Sequence, residues 1–470
     1  MSTVTTVNPA TGKPLAEYPA LSDADVDAAL DRAAAAQTGW AALPCPERAA
    51  VLRRAAEGLR AGIDELALLV TREMGKPLAE SRAEVEKCAA ACDYYAEHAG
   101  EFLADEPVAT SADDSWIGYE PVGVVLAVMP WNFPLWQVLR FAAPALMAGN
   151  AALLKHSPNT TGCALAVQEI FAAAGAPAGL FAALVVAEPD VPAVTRRLIE
   201  DPRVGAVTIT GSERAGRAVG SAAGDAIKKS VLELGGSDPF VVLADADLPR
   251  VAAMAARGRL LNAGQSCISP KRIVVDASVA EEFTRLLVGE VEALTVGDPE
   301  APGTDVGPMA REDLLEGVHR QVEASVAAGA RLLTGGRRLD GPGHFYAPTV
   351  LADVAPGQPA YDAEIFGPVA AVIVVDGEDE AVRVANDTRF GLGASVWTSD
   401  PARGIAVGRR IRSGAVFVNA LVASDVRMPF GGTRASGYGR ELAAAGIREF
   451  VNVRTWWVLD RPIGTAPTSE

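Results

Sequence analysis

The period of the apolar positions changes partway along the chain. Over residues 22–103 they recur every three or four residues on Ala-rich segments, the pattern of helices that each bury one face. Ser22 can cap the first helix, which the pattern carries to about residue 43. Pro46 suits a first helical turn and Gly75 a stop, so a second helix is predicted between them. A third covers roughly 78–103. From residue 122, short β-branched runs at 122–129, 151–155, 180–186 and 204–210 alternate with helical stretches at 135–147, 161–174, 191–200 and 213–223. That alternation predicts a parallel sheet with helices on both faces. Residues 228–234 read as the next strand, which puts Glu233 at a strand's C-terminal end, where open α/β sheets take their ligands.

A second α/β unit begins near Ser237, with strands at 240–243 and 272–275 and helices at 251–261 and 279–294. Residues 297–300 and 335–343 are Gly- and Pro-bearing loops. Two more strands are predicted at 115–120 and 454–459; the second is apolar, and an unpaired strand of that kind invites another chain. Residues 462–470 read as a frayed tail.

Composition removes several classes of function. A net charge of −17 opposes nucleic acid and anionic lipid, both of which need a basic surface. The N-terminus lacks a basic n-region and an apolar h-region, and no run reaches the length of a membrane span. A soluble cytoplasmic protein is expected. The five cysteines suggest no disulfide framework, in keeping with a reducing compartment. Cys88 and Cys92 form an i, i+4 pair, but with four histidines in the chain they read as core thiols, and no metal site is predicted.

Chemistry concentrates at three places. Cys267 ends the polar turn Asn262-Ala263-Gly264-Gln265-Ser266-Cys267; Glu233 sits in Leu232-Glu233-Leu234-Gly235-Gly236; Asn132 is held in Pro130-Trp131-Asn132-Phe133-Pro134. A thiol, a carboxylate and a side-chain amide are parts that acyl transfer through a thioester requires. Each also has a plain structural reading: a buried thiol, a solvated strand-end charge and a turn residue. Gly264, Gly235 and Gly236 permit close approach of a ligand. A helix-start N–H facing the sulfur would favour thiolate, and partial burial would raise the pKa of Glu233 toward that of a useful base. No Gly-x-Gly-x-x-Gly follows the first strand. Thr210-Gly211-Ser212 instead follows a strand and opens a helix, a place for a pyrophosphate, and Lys155 ends another strand within reach of ribose hydroxyls.

Taken in order, Pro130-Trp131-Asn132-Phe133-Pro134, Thr210-Gly211-Ser212, Leu232-Glu233-Leu234-Gly235-Gly236, Gly264-Gln265-Ser266-Cys267, Glu364-Ile365-Phe366-Gly367-Pro368 and Pro429-Phe430-Gly431-Gly432 resemble the motifs of the aldehyde dehydrogenase superfamily from about residue 5 to 460. The resemblance implies an α/β fold of two open parallel sheets, a cofactor and a catalytic domain, plus a β oligomerisation flap. The corresponding boundaries are 1–105 with 122–235, 236–435, and 106–121 with 436–462, before a flexible tail at 463–470. It implies Cys267 as nucleophile, Asn132 and the Cys267 backbone N–H as oxyanion donors, and Glu233 as the base that activates water. Cofactor contacts are implied for Met129, Trp131, Lys155, Ser157, Gly211, Ser212, Leu234, Glu364 and Phe366. The family's oligomers imply a homodimer or homotetramer.

Two departures bear on mechanism and cofactor. Phe141 stands where many members carry a lysine nine positions after the amide Asn, so a lysine relay is not expected. Pro158 stands where NAD-preferring members carry Glu, with Ser157 before it; a carboxylate there would repel a 2′-phosphate, so NADP use is expected, with NAD also possible. Arg140, Trp136 and Ser424 are similar to substrate residues of bacterial succinate-semialdehyde dehydrogenases, and Arg suits a carboxylate. A second arginine of some members is Leu261 here. The expected reaction is oxidation of succinate semialdehyde to succinate. The alternatives are a broader aliphatic or semialdehyde dehydrogenase, a coenzyme A-acylating dehydrogenase, a thiol esterase, and a non-catalytic protein on the same fold.

Overall fold

The computed structural model describes residues 2–460. An antiparallel hairpin, Thr3–Asn8 with Lys13–Pro19, precedes the helices and was not expected from the sequence. Four helices follow where three were predicted: Asp23–Ala41, Cys45–Ala61, Ile63–Met74 and Leu78–Phe102. Ser22 caps the first in a capping box, its Oγ accepting the Asp25 N–H at 3.2 Å while Asp25 Oδ2 accepts the Ser22 N–H at 3.0 Å. Gly62 divides the predicted second helix; a glycine inside a helical pattern leaves the apolar period intact, so the break is invisible to periodicity. Gly75 ends the third helix at φ +86°, and a Cβ there would stand 2.7 Å from Pro308.

The first sheet is built outward from Val124–Met129, which pairs in parallel with Ala151–His156 and Val204–Thr210. Phe181–Ala183 extends it on one side and Lys229–Glu233 on the other. The edge is closed by Gly437–Tyr438, antiparallel, with Gly437 opposite Glu233. The alternation read from the sequence therefore holds, though the 180–186 strand shortens to three residues.

The second sheet runs in the order Arg331–Thr334, Thr349–Ala352, Val369–Val375, Pro270–Asp276, Asp238–Val242, Ser395–Trp397, Phe417–Val418. Only the first of these is antiparallel to its neighbour. Sequence reading found the two central strands; several of the others have two to four residues, too few for a period to register. Val369–Val375 is a full apolar run that the expectations did not cover.

A three-stranded sheet stands apart. Val451–Val458 pairs antiparallel with Asp114–Pro121 along eight residues, and Glu106–Pro107 flanks the other side. Trp116 and Trp456 stack across the pair with centroids 5.3 Å apart, while Val453 and Trp457 are exposed. The tail expected at 462–470 lies outside the described residues.

Asn150 joins this flap to the first sheet. Its Nδ2 donates to Phe450 O at 2.8 Å and Ala145 O at 3.2 Å, and its Oδ1 accepts the N–H groups of Val122 and Gly123 at 2.8 and 3.1 Å. Asn150→Ala removes the side-chain partner of Phe450 O and of the Val122 and Gly123 N–H groups around a fully buried position. It is expected to cost about 2–4 kcal/mol, read as an earlier urea-unfolding midpoint by tryptophan fluorescence.

Candidate active site

The C-terminal ends of the first sheet's strands open onto a cleft of about 890 Å³ that runs from Lys155 and Ser157 past Ser212 to Glu364, Asn132 and Cys267. One wall thus comes from the first sheet and the other from the loops of the second unit.

Cys267 is carried on a strained turn. Asn262, Ala263 and Gly264 are consecutively left-handed, at φ 53°, 52° and 70°. For the two residues with a Cβ this costs about 1–2 kcal/mol each. Gly264 is required for a second reason, since a Cβ there would run into the Gly367 backbone. Hydrogen bonds from other elements hold the turn. Glu80 accepts the Asn262 N–H at 2.9 Å. Gln265 Nε2 donates to Asn262 O at 3.1 Å, and its Oε1 accepts the Ala310 N–H at 2.9 Å. Arg259, fully buried, donates to Gly264 O at 3.2 Å, Ser269 Oγ at 2.8 Å and Ile365 O at 2.8 Å, and also to Gly367 O and Val369 O. It therefore fastens the nucleophile loop to the Glu364-Ile365-Phe366-Gly367 segment.

The Asn132 amide is aimed by the same network. Its Nδ2 donates one hydrogen to Gln265 O at 3.1 Å, and Asn262 Nδ2 donates to Asn132 O at 2.8 Å. The second Nδ2 hydrogen is left for a ligand oxygen beside the sulfur. Two further anchors fix this loop. Glu84 accepts the N–H groups of Leu135 and Trp136, both at 2.9 Å, while its other oxygen meets buried Lys76. His156 donates from Nε2 to Pro134 O at 2.8 Å; burial pushes its pKa to about 4, so the ring is neutral.

Burial pushes the Cys267 thiol up to about 12, against the pull of Lys271 and Arg140. No helix starts at the sulfur: Cys267 and Ile268 form a turn and the strand Pro270–Asp276 follows. The expected helix-terminal help to the thiolate is thus absent, and its place is taken by Lys271. That buried ammonium donates to the carbonyls of Ser266, Cys267 and Ser269 at 2.8, 2.7 and 3.2 Å and lies 3.4 Å from Glu364.

Glu233 is fully rather than partly buried and does not line the cleft. Burial first, then the Glu441 carboxylate, hold its carboxyl well above the usual range; Arg140 and Arg440 oppose this. Its Oε1 has no hydrogen-bond partner, and a Cβ on Gly431 would stand 2.7 Å away. Glu441 is raised by the same burial and is ion-paired with Arg140. Two acids and one guanidinium thus share one buried compartment.

Arg140 departs from its expected role. Its guanidinium is 2% exposed, ion-paired with Glu441, bonded to Thr210 Oγ1 at 3.2 Å and stacked over Phe430 at 4.9 Å. A carboxylate already occupies it, because Glu441 cannot stay ionised in the interior without a counter-charge. Phe141 packs edge-on against Phe450 with centroids 5.3 Å apart, and the ion pair is made one residue earlier. Trp136 and Ser424 do come together, Trp136 Nε1 donating to Ser424 Oγ at 3.2 Å, but neither lines the dinucleotide-sized cleft.

The cofactor end suits a dinucleotide. Ser212 caps the helix Glu213–Asp225, whose first N–H groups face the cleft. Lys155 has its pKa brought down to about 8 by burial and carries no ion pair among the described residues. Glu364 accepts the Gly236 N–H at 3.1 Å with one oxygen, and the other lies where a Cβ on Gly235 would be. That crowding admits only glycine and leaves a carboxylate edge for ribose hydroxyls. Trp131, Ser157, Gly211, Leu234 and Phe366 line the cleft as expected, with Phe366 edge-on to Trp131. Met129 does not: it is 3% exposed and packs in the core, since successive strand residues alternate faces and Val128 and Pro130 take the cleft side. Cys88 and Cys92 are buried in the core.

Sequence reasoning missed Glu441, Lys271, Arg259, Glu80 and Glu84. Their one local signal is the i, i+4 spacing of Glu80 and Glu84, which puts them on one helix face. Glu188, exposed on the cleft rim, was also missed; its charge favours the ammonium form of Lys155.

Residues 1–456 match a family model described as the aldehyde dehydrogenase family. The chain is 51% identical over 455 residues to a probable NADP(+) succinate-semialdehyde dehydrogenase of Synechocystis sp., covering 97% of this chain and 99% of the relative. It is 46% identical to an NAD(P)+ succinate semialdehyde dehydrogenase of Escherichia coli, covering 96% and 97%. The crystal structure of succinic semialdehyde dehydrogenase from Streptococcus pyogenes in complex with NADP+ superposes with a TM-score of 0.94 at 37% identity, covering 97% of this chain and 100% of that one.

Two outcomes follow from the geometry. Iodoacetamide alkylation of Cys267, read by mass spectrometry in the absence of cofactor, should rise about tenfold per pH unit between pH 7 and 9, and Lys271→Met should slow it severalfold throughout. Arg140→Ala should destabilise the fold by about 3–5 kcal/mol, because it leaves Glu441 uncompensated, and any loss of activity should be the same for charged and uncharged aldehydes.

Proposed function

The chain belongs to the aldehyde dehydrogenase family, and from that premise we propose that it oxidises succinate semialdehyde to succinate with NADP or NAD. The observation that carries the chemistry is the Asn132 amide, bonded to Gln265 O beside Cys267, in a cleft shared with Glu364. The substrate rests on the names of the Synechocystis and Escherichia coli relatives.

Cys267 loses its proton and its sulfur adds to the aldehyde carbon. The developing oxyanion is received by the free Asn132 Nδ2 hydrogen and the Cys267 backbone N–H. Lys271 keeps the nucleophile loop in place through the Cys267 carbonyl, and its charge favours the thiolate. The chemistry a bound nicotinamide ring supplies is acceptance of hydride. Glu364 would hold its ribose, Ser212 the pyrophosphate and Lys155 the adenosine ribose. Cys267 then carries the acyl group as a thioester, and Glu233, once deprotonated, takes a proton from the attacking water. The carboxylic acid leaves and the thiol is restored.

NADP use is supported by Lys155 and Ser157 on the cleft wall and by Pro158, which stands where a glutamate would repel a 2′-phosphate. The cofactor domain is 1–105 with 122–235, and the catalytic domain is 236–435. The strand Val451–Val458, with exposed Val453 and Trp457, is the edge along which a second copy would pair into a dimer or tetramer. Among the described residues, no helix is long and apolar enough to cross a membrane.

The test is reduced-cofactor formation from succinate semialdehyde without coenzyme A. Activity dependent on coenzyme A would instead favour the acylating reading. Cys267→Ser should lower kcat by about a thousandfold or more. Glu233→Gln should keep a first-turnover burst while steady turnover falls about a hundredfold. An NAD over NADP preference in kcat/KM of about a hundredfold would overturn the cofactor assignment.

A further inference from the structure

Pro158 adds no charge to the cofactor end of the cleft, yet that end is not free of acid. Lys155 lies near the C-terminal end of the strand Ala151–His156, and the strand Phe181–Ala183 runs parallel beside it. The Leu184 N–H donates to Leu154 O at 2.8 Å, so the chain leaves the second strand next to Lys155. It then forms the short turn Glu188–Asp190 and enters the helix Val191–Glu200. Glu188, Val191 and Pro192 line the same cleft as Lys155 and Ser157. An anion and a cation thus reach one part of the cleft from neighbouring strand ends.

The protein itself uses up neither charge. Among the described residues, Lys155 and Glu188 make no ion pair with each other or with any other group, and Glu188 is exposed. The acid still acts on the cation, because its charge supports the Lys155 ammonium against burial. It acts also on Arg311 of the opposite wall, but Arg311 already holds both oxygens of Asp313 at 2.8 Å. Lys155 is therefore the cation that Glu188 has left to balance.

NAD and NADP differ at one atom of the adenosine ribose, which bears a hydroxyl in the first and a phosphate in the second. A carboxylate accepts a hydrogen bond from the hydroxyl and repels the phosphate. An ammonium attracts the phosphate and can also donate to the hydroxyl oxygen. Lys155 alone would favour NADP; Glu188 in the same part of the cleft pulls the balance back.

We propose that Glu188 is a specificity-determining residue, whose carboxylate accepts the 2′-hydroxyl of NAD, opposes the 2′-phosphate of NADP, and so keeps both cofactors usable. The assignment rests on the dehydrogenase reading above and adds to it the group that limits cofactor discrimination.

The experiment compares wild type, Glu188→Gln, Glu188→Lys and Asp190→Asn. One readout is kcat/KM for each cofactor. The other needs no turnover: calorimetric binding of 5′-AMP and of adenosine 2′,5′-bisphosphate, which differ only by the 2′-phosphate. Glu188→Gln should raise the NADP-to-NAD ratio of kcat/KM about 5–20-fold, and the ratio of the two nucleotide affinities should move with it. Glu188→Lys should move both further, with KM for the aldehyde unchanged. Asp190 is an exposed acid on the same turn that does not line the cleft, so Asp190→Asn should shift neither ratio more than about twofold. Unchanged ratios in Glu188→Gln, or an equal shift in Asp190→Asn, overturn the assignment and leave the dehydrogenase reading intact. A wild type that oxidises no aldehyde with either cofactor overturns that reading, while the nucleotide affinities still decide for or against Glu188.

Discussion

The site depends on a turn that the backbone alone would not adopt. Asn262, Ala263 and Gly264 are left-handed in sequence, and the bonds within the turn run only between Asn262 and Gln265. Further support arrives from four directions: Glu80 from the long helix, Arg259 from the helix before the turn, Ala310 from a later loop, and Asn132 from the first unit. The last contact is reciprocal. Asn262 donates to the Asn132 backbone and Asn132 donates to Gln265, so the bonds that keep the nucleophile in position also aim the oxyanion donor. Sulfur and amide cannot be displaced independently, which is what a site for a developing charge requires.

The buried charges divide into two kinds by how fully they are satisfied. Arg259 spends all five donors on oxygens of the protein and Lys271 holds three carbonyls; both are brackets between loops. Glu233 and Glu441 differ, since both Glu441 oxygens and Glu233 Oε1 lack hydrogen bonds while sharing Arg140 as counter-charge. Two buried acids that share one counter-charge and are short of donors are suited to proton traffic.

What the sequence made legible follows the same division. Cys267, Glu233 and Asn132 sit in motifs whose neighbours are glycines and prolines, residues that constrain backbone wherever they fall, so their surroundings are unusual even in one dimension. The first sheet was legible because its strands are apolar and alternate with helices. Lys271, Glu84 and Glu441 were not, because a charged residue on an amphipathic helix or beside a strand looks the same whether it meets water or a buried partner. Arg140 shows the complement: its position in the motif was informative, but its ion-pair partner, Glu441, lies 301 residues later in the numbering and is joined to it only by the fold.

In the substrate-free site burial favours the neutral form of both the nucleophile and the base. The Cys267 thiol is raised by burial, and the Glu233 carboxyl by burial and by Glu441. Both act as anions, so burial opposes the reactive form of each. Lys271 and Arg140 oppose burial at the sulfur, yet Arg140 is neutralised by Glu441. That leaves Lys271, which also lies 3.4 Å from Glu364, as the cation that favours the thiolate. Lys271 is also bonded to the carbonyls of Ser266, Cys267 and Ser269, so the cofactor-facing carboxylate and the nucleophile loop share one buried lysine.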